Sequence, residues 1–336
     1  MTTKKNERFQ TIINFINSHD KIILTAHETP DGDAIGSEIA AYLALKAFGK
    51  TVRIINADPM AEKYRFLDVD DAIELFNDDL NLPDDIHEWA LMILDTNDIN
   101  NIGIVKDQIL TRVNNFFIYD HHEGGESVTT SNHIESEASS TCEMLFELFE
   151  TMELDMSYDF LVAIYLGIVY DTGSFIYPKT TAKTFRIAER CVSGGVTPNF
   201  VYSKLYESNS ISSLMLQSRV LSTLEFFYDN HVAVQTMLKD DILESGALYE
   251  EADSLINLPL KSEAIKVSVF FKENLEGILR CSMRSKGNID VSFIAQLMGG
   301  GGHRTAAGFK SKYPLEEIKL KVLDMLNKYF VQPDDD

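Results

Sequence analysis

The sequence has few cysteines, and the three present, Cys142, Cys191 and Cys281, lie far apart and form no CxxC pair. That excludes a disulfide framework and a zinc–thiolate site and leaves buried structural thiols. Also missing is any apolar run long enough to span a bilayer; the longest, such as Phe160 to Tyr170, reads as buried helix or strand. The first residues, Met1 to Phe9, are polar and charged with no signal-peptide core behind them, so a cytoplasmic location with no membrane partner is expected. There is no internal repeat or low-complexity tract. Positive charge is scarce as well: 30 Lys and Arg stand against 52 Asp and Glu, a net charge of −22. Non-specific nucleic-acid binding depends on clustered cations neutralising many phosphates, so no long nucleic acid is expected as a partner. A nucleic-acid substrate would be short and held locally. The acidity itself reads as solvated surface, including the tail Asp334, Asp335 and Asp336.

What the sequence does have is length and pattern. Its 336 residues, 45% hydrophobic, suffice for two domains with separate cores. In the first half, short apolar runs at Ile22–Thr25, Thr51–Ile55, Leu91–Leu94 and Phe116–Tyr119 each stop at polar or acidic residues. Between the first two lies a helical pattern from Ala34 to Phe48, closed by Gly49. This predicts an α/β fold, a parallel sheet with helices on both faces, and a ligand crevice at the carboxyl ends of the strands. From about Ser139 to Phe227 the chain reads as helical, with breaks near Asp155, Gly194–Gly195 and Ser208–Ser210. A smaller mixed α/β region follows: strands at Val232–Thr236, Ile265–Phe271 and Gly277–Met283, a helix at Asp290–Met298, and a closing helix at Leu315–Tyr329. The expected division is a domain over residues 1–190, a helical linker over 191–228, and a second domain over 229–332.

Four clusters of acids and histidines fall at the ends of these elements. They are His27-Glu28-Thr29-Pro30-Asp31-Gly32-Asp33, Asp95-Thr96, Asp120-His121-His122 and Asp171-Thr172-Gly173. Each alone has an ordinary reading: His27 as a capping or core histidine, Asp31 or Asp33 as a turn acid before a helix N-terminus, His121–His122 as a polar loop. Together they would converge on one rim of a parallel sheet. Carboxylates gathered there repel one another unless cations compensate them. Mixed imidazole and carboxylate donors suit Mn²⁺, Fe²⁺ or Zn²⁺ better than Ca²⁺, and the number of donors favours two ions over one. Further on, Gly299 to Gly302 could shape a backbone anion site or serve a tight strand connection, with His303 at its end. Arg284 offers a planar fork matched to phosphate, and Lys286 a point charge.

In order and spacing, His27-x3-Asp31-x-Asp33, Asp95, Asp120-His121-His122 and Asp171 resemble the four motifs of the DHH phosphoesterases. Glu137-Ala138-Ser139-Ser140-Thr141 resembles the same family. Arg284-Ser285-Lys286 and Gly299-Gly300-Gly301-Gly302-His303-x4-Gly308 resemble its associated C-terminal domain. Size and arrangement are similar to the nanoRNase and pAp-phosphatase group, which also includes enzymes degrading cyclic di-AMP or its linear product pApA.

The resemblance implies a metal-dependent phosphodiesterase or phosphatase that uses two divalent ions, foremost Mn²⁺. It would release nucleoside 5′-monophosphates from short oligoribonucleotides or from 3′-phosphoadenosine 5′-phosphate, as an oligoribonuclease or bisphosphate nucleotidase. By analogy, His27, Asp31 and Asp95 would hold one ion, and Asp33, Asp95, His121 and Asp171 the other. His122 would face the phosphate, with Asp120 orienting the histidines. Arg284, Ser285, Gly300, Gly301, Gly302 and His303 would bind substrate across a cleft from the metals. The alternatives are a cyclic di-AMP or pApA phosphodiesterase in second-messenger turnover and, from another class, a catalytically silent nucleotide sensor. The sensor predicts a damaged ligand set, whereas the set here is complete. A symmetric homodimer is the default assembly.

Overall fold

Runs of branched apolar residues closed by polar ones become parallel strands in the first half of the chain. The structure, a computed structural model, describes residues 2–123 and 131–330, the side chains of residues 2–6 excepted. The acidic tail Asp334–Asp336 therefore lies outside the described residues. The chain divides into two units, Met1–Ser208 and Asn209–Asp336. The stretch 191–228, expected as a linker, is shared between them.

The first unit runs α1 (Thr2–Ser18), β1 (Lys21–Thr25), α2 (Gly32–Ala47), β2 (Thr51–Asn56), β3 (Ile73–Leu75), β4 (Ala90–Leu94), β5 (Asn115–Asp120), β6 (Asn132–Ile134), α3 (Thr141–Thr151), α4 (Tyr158–Asp171), α5 (Ala182–Ser193) and α6 (Pro198–Tyr206). Its sheet has the order β3-β2-β1-β4-β5-β6 and is parallel throughout. A parallel strand covered on both faces needs apolar residues at every position, and all five residues of β4 are buried. Alternate side chains feed two cores. Met92 and Leu94 join Ile22, Leu24, Phe117 and Tyr119 beneath the long helices. Leu91 and Ile93 join Ile23, Ile55 and Ile118 beneath Ile102, Val105 and Ile109, from short helical turns between β4 and β5. Helices thus cover both faces, long ones on one side and short turns on the other.

This strand order reverses direction between β1 and β4, the switch point at which such sheets open a crevice beyond the strand ends. The loops after β1 and β4 carry His27 and Asp95. Helix α4 lies close against α2 because Gly167 has no side chain: a Cβ there would stand 2.3 Å from Cys142 Sγ and 2.6 Å from Asp33 Oδ1.

The second unit runs α7 (Ile211–Ser222), β7 (Glu225–Phe227), β8 (Val232–Met237), α8 (Lys239–Ser245), β9 (Val267–Glu273), β10 (Leu279–Ser285), α9 (Ser292–Leu297), β11 (Gly301–His303), β12 (Ala306–Lys310) and α10 (Leu315–Asn327). Its mixed sheet has the order β11-β12-β10-β9-β8-β7, with β8 and β9 parallel and the other pairs antiparallel. Residues of α9 and α10 pack on one face with Val267, Val269, Met283 and Phe309. On the other face, residues of α7 and α8 pack with Met237 and Phe270 of β8 and β9. There, β10, β12 and β11 present Arg280, Ser282, Arg284, Lys310 and His303, partly or fully exposed.

Of the two readings open for the glycine run, the backbone shows the tight strand connection. Gly301 to His303 is a strand paired antiparallel with β12. Gly302 has φ +136, and a Cβ there would stand 2.5 Å from Ala306 O, so the hairpin closes only around glycine. The amides of Gly299 and Gly300 are already spent, on Gln296 O at 3.0 Å and Ala295 O at 2.8 Å, ending α9. Among the described residues no helix is long and apolar enough to cross a membrane.

Candidate metal and phosphate site

The four clusters meet at the strand ends of the first unit. Asp31 caps α2: its carboxylate accepts from the amides of Asp33 at 3.0 Å and Ala34 at 3.2 Å. That places Asp33 in the first turn, fully buried, where the amides of Thr141 and Cys142 donate to it at 2.6 and 3.0 Å. Helix α3 therefore points its positive N-terminus at Asp33. Asp95 follows β4 with φ +59, a left-handed conformation uncommon for a residue with a side chain. Its amide still bonds Tyr119 O at 3.1 Å, and the Thr141 hydroxyl donates to its Oδ1 at 2.8 Å. The carboxylate is thereby fixed between the β1 and β5 loops. Asp171 is the last residue of α4, at the negative end of a helix, where a bare carboxylate is disfavoured.

The histidines are oriented by their second nitrogens. His27 Nδ1 bonds Glu28 O at 2.7 Å, leaving Nε2 3.7 Å from Asp95 Oδ2. His121 Nδ1 bonds Ala138 O at 3.3 Å, leaving Nε2 3.0, 3.6 and 3.9 Å from Asp171, Asp95 and Asp33. A backbone carbonyl accepting from one ring nitrogen is how metal-ligating histidines are held. His122 differs: Nδ1 donates to Asp120 Oδ1 at 2.8 Å, and its side chain is 52% exposed, against 4% for His121.

Donor atoms within 4.8 Å of one another form three overlapping groups: His27, Asp31 and Asp95; Asp33, His121 and Asp171; and Asp95, His121 and His122. His121 Nε2 is buried and makes no well-directed hydrogen bond, although Asp171 lies 3.0 Å away, so acidic oxygens crowd it without a settled partner. The acids show the same deficit. Burial, then the charge of Asp171, pushes Asp33 up to about 6. Burial and the neighbouring aspartates push Asp95 well above the carboxylate range. Burial also raises Asp31. Burial opposes charge on His121, but its contact with Asp171 and the field of Asp33 prevail and lift it to about 9. The bond to Asp120 raises His122. Bare aspartates and unfilled imidazole nitrogens of this kind fit divalent cations.

Thr141 received no role from the sequence, although it binds Asp95 and its amide binds Asp33. Its signal was Ser140-x-x-Glu143, a helix start: Ser140 Oγ accepts from Glu143 N at 3.0 Å. Glu143 is 1% exposed and accepts from Ser139 Oγ and Thr184 Oγ1, both at 2.7 Å, and from Lys183 at 2.9 Å. These bonds tie the start of α3 to α5.

The expected substrate-binding residues lie in the second unit, and the structure separates them. Arg284 and His303 are both register partners of Ala306, so they share one row of one sheet face. Ser285 is buried and donates to Ile289 O at 2.7 Å; Gly300 and Gly302 serve the helix end and the hairpin. The side chains left to meet a ligand are Arg284 and His303, beside the open backbone of Gly301.

Comparison with known proteins accords with this geometry. Residues 21–168 match the DHH family, N-terminal domain, and residues 229–332 match the DHHA1 domain. The bifunctional oligoribonuclease and PAP phosphatase NrnA of Thermus thermophilus is 29% identical, over 91% of this chain and 89% of that protein. The cyclic-di-AMP phosphodiesterase GdpP of Geobacillus thermodenitrificans is 25% identical over 94% of this chain, which spans 48% of that longer protein. The crystal structure of an exopolyphosphatase-related protein from Bacteroides fragilis superposes with a TM-score of 0.87 at 27% identity, covering 96% of both chains. The chain carries an N-terminal domain of the DHH family followed by a DHHA1 domain.

Proposed function

We propose that the protein is a metal-dependent phosphoesterase that hydrolyses short oligoribonucleotides, 3′-phosphoadenosine 5′-phosphate, or both, to nucleoside 5′-monophosphates. One observation carries the reading: buried His121 Nε2 faces Asp33, Asp95 and Asp171 within 3.9 Å, and burial and neighbouring acids raise both Asp33 and Asp95. His27, Asp31 and Asp95 would hold one divalent ion, and Asp33, Asp95, His121 and Asp171 a second, Mn²⁺ in our reading. When bound, such a pair supplies charge neutralisation at phosphate and acidity to a coordinated water.

The protein's own groups do the rest. The Thr141 hydroxyl and the α3 amides hold Asp95 and Asp33 in position. Asp120 accepts a hydrogen bond from Nδ1–H of His122, which turns Nε2 outward and favours the charged ring. His122 then donates a proton to phosphoryl or leaving-group oxygens. Arg284 and His303 bind a phosphate that does not react.

The test is a product assay with Mn²⁺ on 3′-phosphoadenosine 5′-phosphate, pApA, cyclic di-AMP and RNA of two to twenty nucleotides. Turnover concentrated on short RNA or the bisphosphate supports the proposal. Turnover of cyclic di-AMP or pApA alone replaces it with the second-messenger reading. Binding without turnover of any substrate makes the protein a sensor.

A further inference from the structure

The sheet face that carries Arg284 and His303 continues to a second basic patch. Arg280 and Lys310 are register partners on β10 and β12, so two exposed cations stand directly opposite each other. Like charges in that arrangement destabilise a sheet. The next cation along the row, Lys272, is register partner to Arg280 and is matched by Asp253 and stacked on Tyr249. Among the described residues no carboxylate pairs with Arg280 or Lys310. In a chain with net charge −22, two adjacent exposed cations without a carboxylate partner form a local positive patch open to an anion.

These two side chains also line a pocket of about 450 Å³, with Ser282, Gly299, Gly300 and Gly308. Ser282, Gly308 and Gly301 form the row between Arg280–Lys310 and Arg284–His303. That middle row holds only one small hydroxyl and two glycines, and the space above Gly301 is open, so it leaves room for a sugar or base between the cations. Four residues along an antiparallel strand separate the two cationic rows by roughly 13–14 Å. That distance matches two internucleotide steps of an extended strand.

We infer that Arg280 and Lys310 form a second phosphate subsite, which engages an oligoribonucleotide two steps from the phosphate held at Arg284. The inference rests on the proposed function and deepens it: the first row recognises every substrate, and the second recognises only RNA of three or more nucleotides. The second contact is to a non-reacting phosphate, equal in ground and transition states, so it appears in KM and not in kcat.

The experiment uses the full chain with Arg280→Ala and Lys310→Ala combined, both at exposed positions. On a five-nucleotide RNA, KM should rise roughly 10- to 100-fold with kcat unchanged. 3′-Phosphoadenosine 5′-phosphate and a dinucleotide should turn over as in the wild type. Anisotropy with a labelled five-nucleotide RNA in EDTA, across a salt series, reads the same subsite without catalysis. The variant should bind more weakly, with a salt slope shallower by about 0.7. Equal losses on all three substrates, or unchanged KM and Kd for the five-nucleotide RNA, overturn the subsite. If the wild type cleaves neither RNA nor the bisphosphate, the proposed function fails; in that case, and if it cleaves the bisphosphate alone, the EDTA arm still decides whether these cations bind phosphate.

Discussion

In the first unit the charged side chains that matter are buried and too negative; in the second they are exposed and positive. Asp33 and Asp95 are 0% and 2% exposed and surrounded by amides, a hydroxyl and other acids. Arg280, Lys310 and His303 lie open on a sheet face. A buried site can be built atom by atom from hydrogen bonds, because each unsatisfied group costs about 1–3 kcal/mol and so each is held. An exposed face works through charge and spacing, with side chains that water screens. The first arrangement suits chemistry at one fixed phosphorus, and the second suits recognition of substrates that vary in length.

The sharpest way to break this contrast is to remove charge where it is buried. Asp95→Asn takes a carboxylate from both proposed ligand sets. Losing several kcal/mol of charge stabilisation should cost roughly three decades or more in kcat/KM. Metal content by mass spectrometry should fall with it. Retention of near-normal Mn²⁺-dependent turnover would show that Asp95 does not join two ions.

His122 sits on the boundary, bound to buried Asp120 but half exposed. His122→Ala should lower kcat about a hundredfold while the purified protein keeps its full metal content. Loss of an ion would make the side chain a ligand instead of a proton donor.

On the exposed face, Arg284→Ala should reduce kcat/KM for the bisphosphate and dinucleotides about tenfold, the low end for a charge-assisted hydrogen bond. Metal content and thermal unfolding should stay as in the wild type. A loss of metal here would erase the division of labour between the units.

The smallest effect is on stability, and its sign follows from proton linkage. Asp33, raised to about 6, loses stability to the folded state as pH climbs from the ordinary carboxylate range through 6. His121, raised to about 9, stabilises fully below about 6.5, and that contribution fades as pH passes through 9. Both act in one direction, so the metal-free protein should melt lower as pH rises from 5 to 9. Bound cations replace the lost protons, so the gain in Tm on replacing EDTA with Mn²⁺ should grow with pH. A gain independent of pH would mean that the acids are not crowded.

Most of the first unit was legible because burial on both faces forces a simple pattern. Leu91 to Leu94 and Ile22 to Thr25 read as strands, and the polar residues that stop them mark the rim of the sheet. The three-residue strands β3 and β6 were not legible, since Ile73-Glu74-Leu75 and Asn132-His133-Ile134 are too short to show a period. In the second unit the glycine run left an anion site and a tight strand connection both open, and only the structure shows Gly302 making a tight hairpin edge. Glycine announces unusual backbone but not which kind.

By itself the sequence determined four clusters of acids and histidines just after apolar runs, and the family resemblance picked out His27, Asp31, Asp33, Asp95, His121 and Asp171 among them as candidate donors. Only the tertiary structure decided how those donors meet. The reversal of strand order between β1 and β4 brings His27 within 3.7 Å of Asp95, from loops 68 positions apart in the chain. It also decided that Ala138 O holds the His121 ring, that Thr141 holds Asp95, and that Arg280 stands opposite Lys310. Those are choices of register, tautomer and helix depth. They arise from packing between segments distant in sequence, and no local pattern of residues records them.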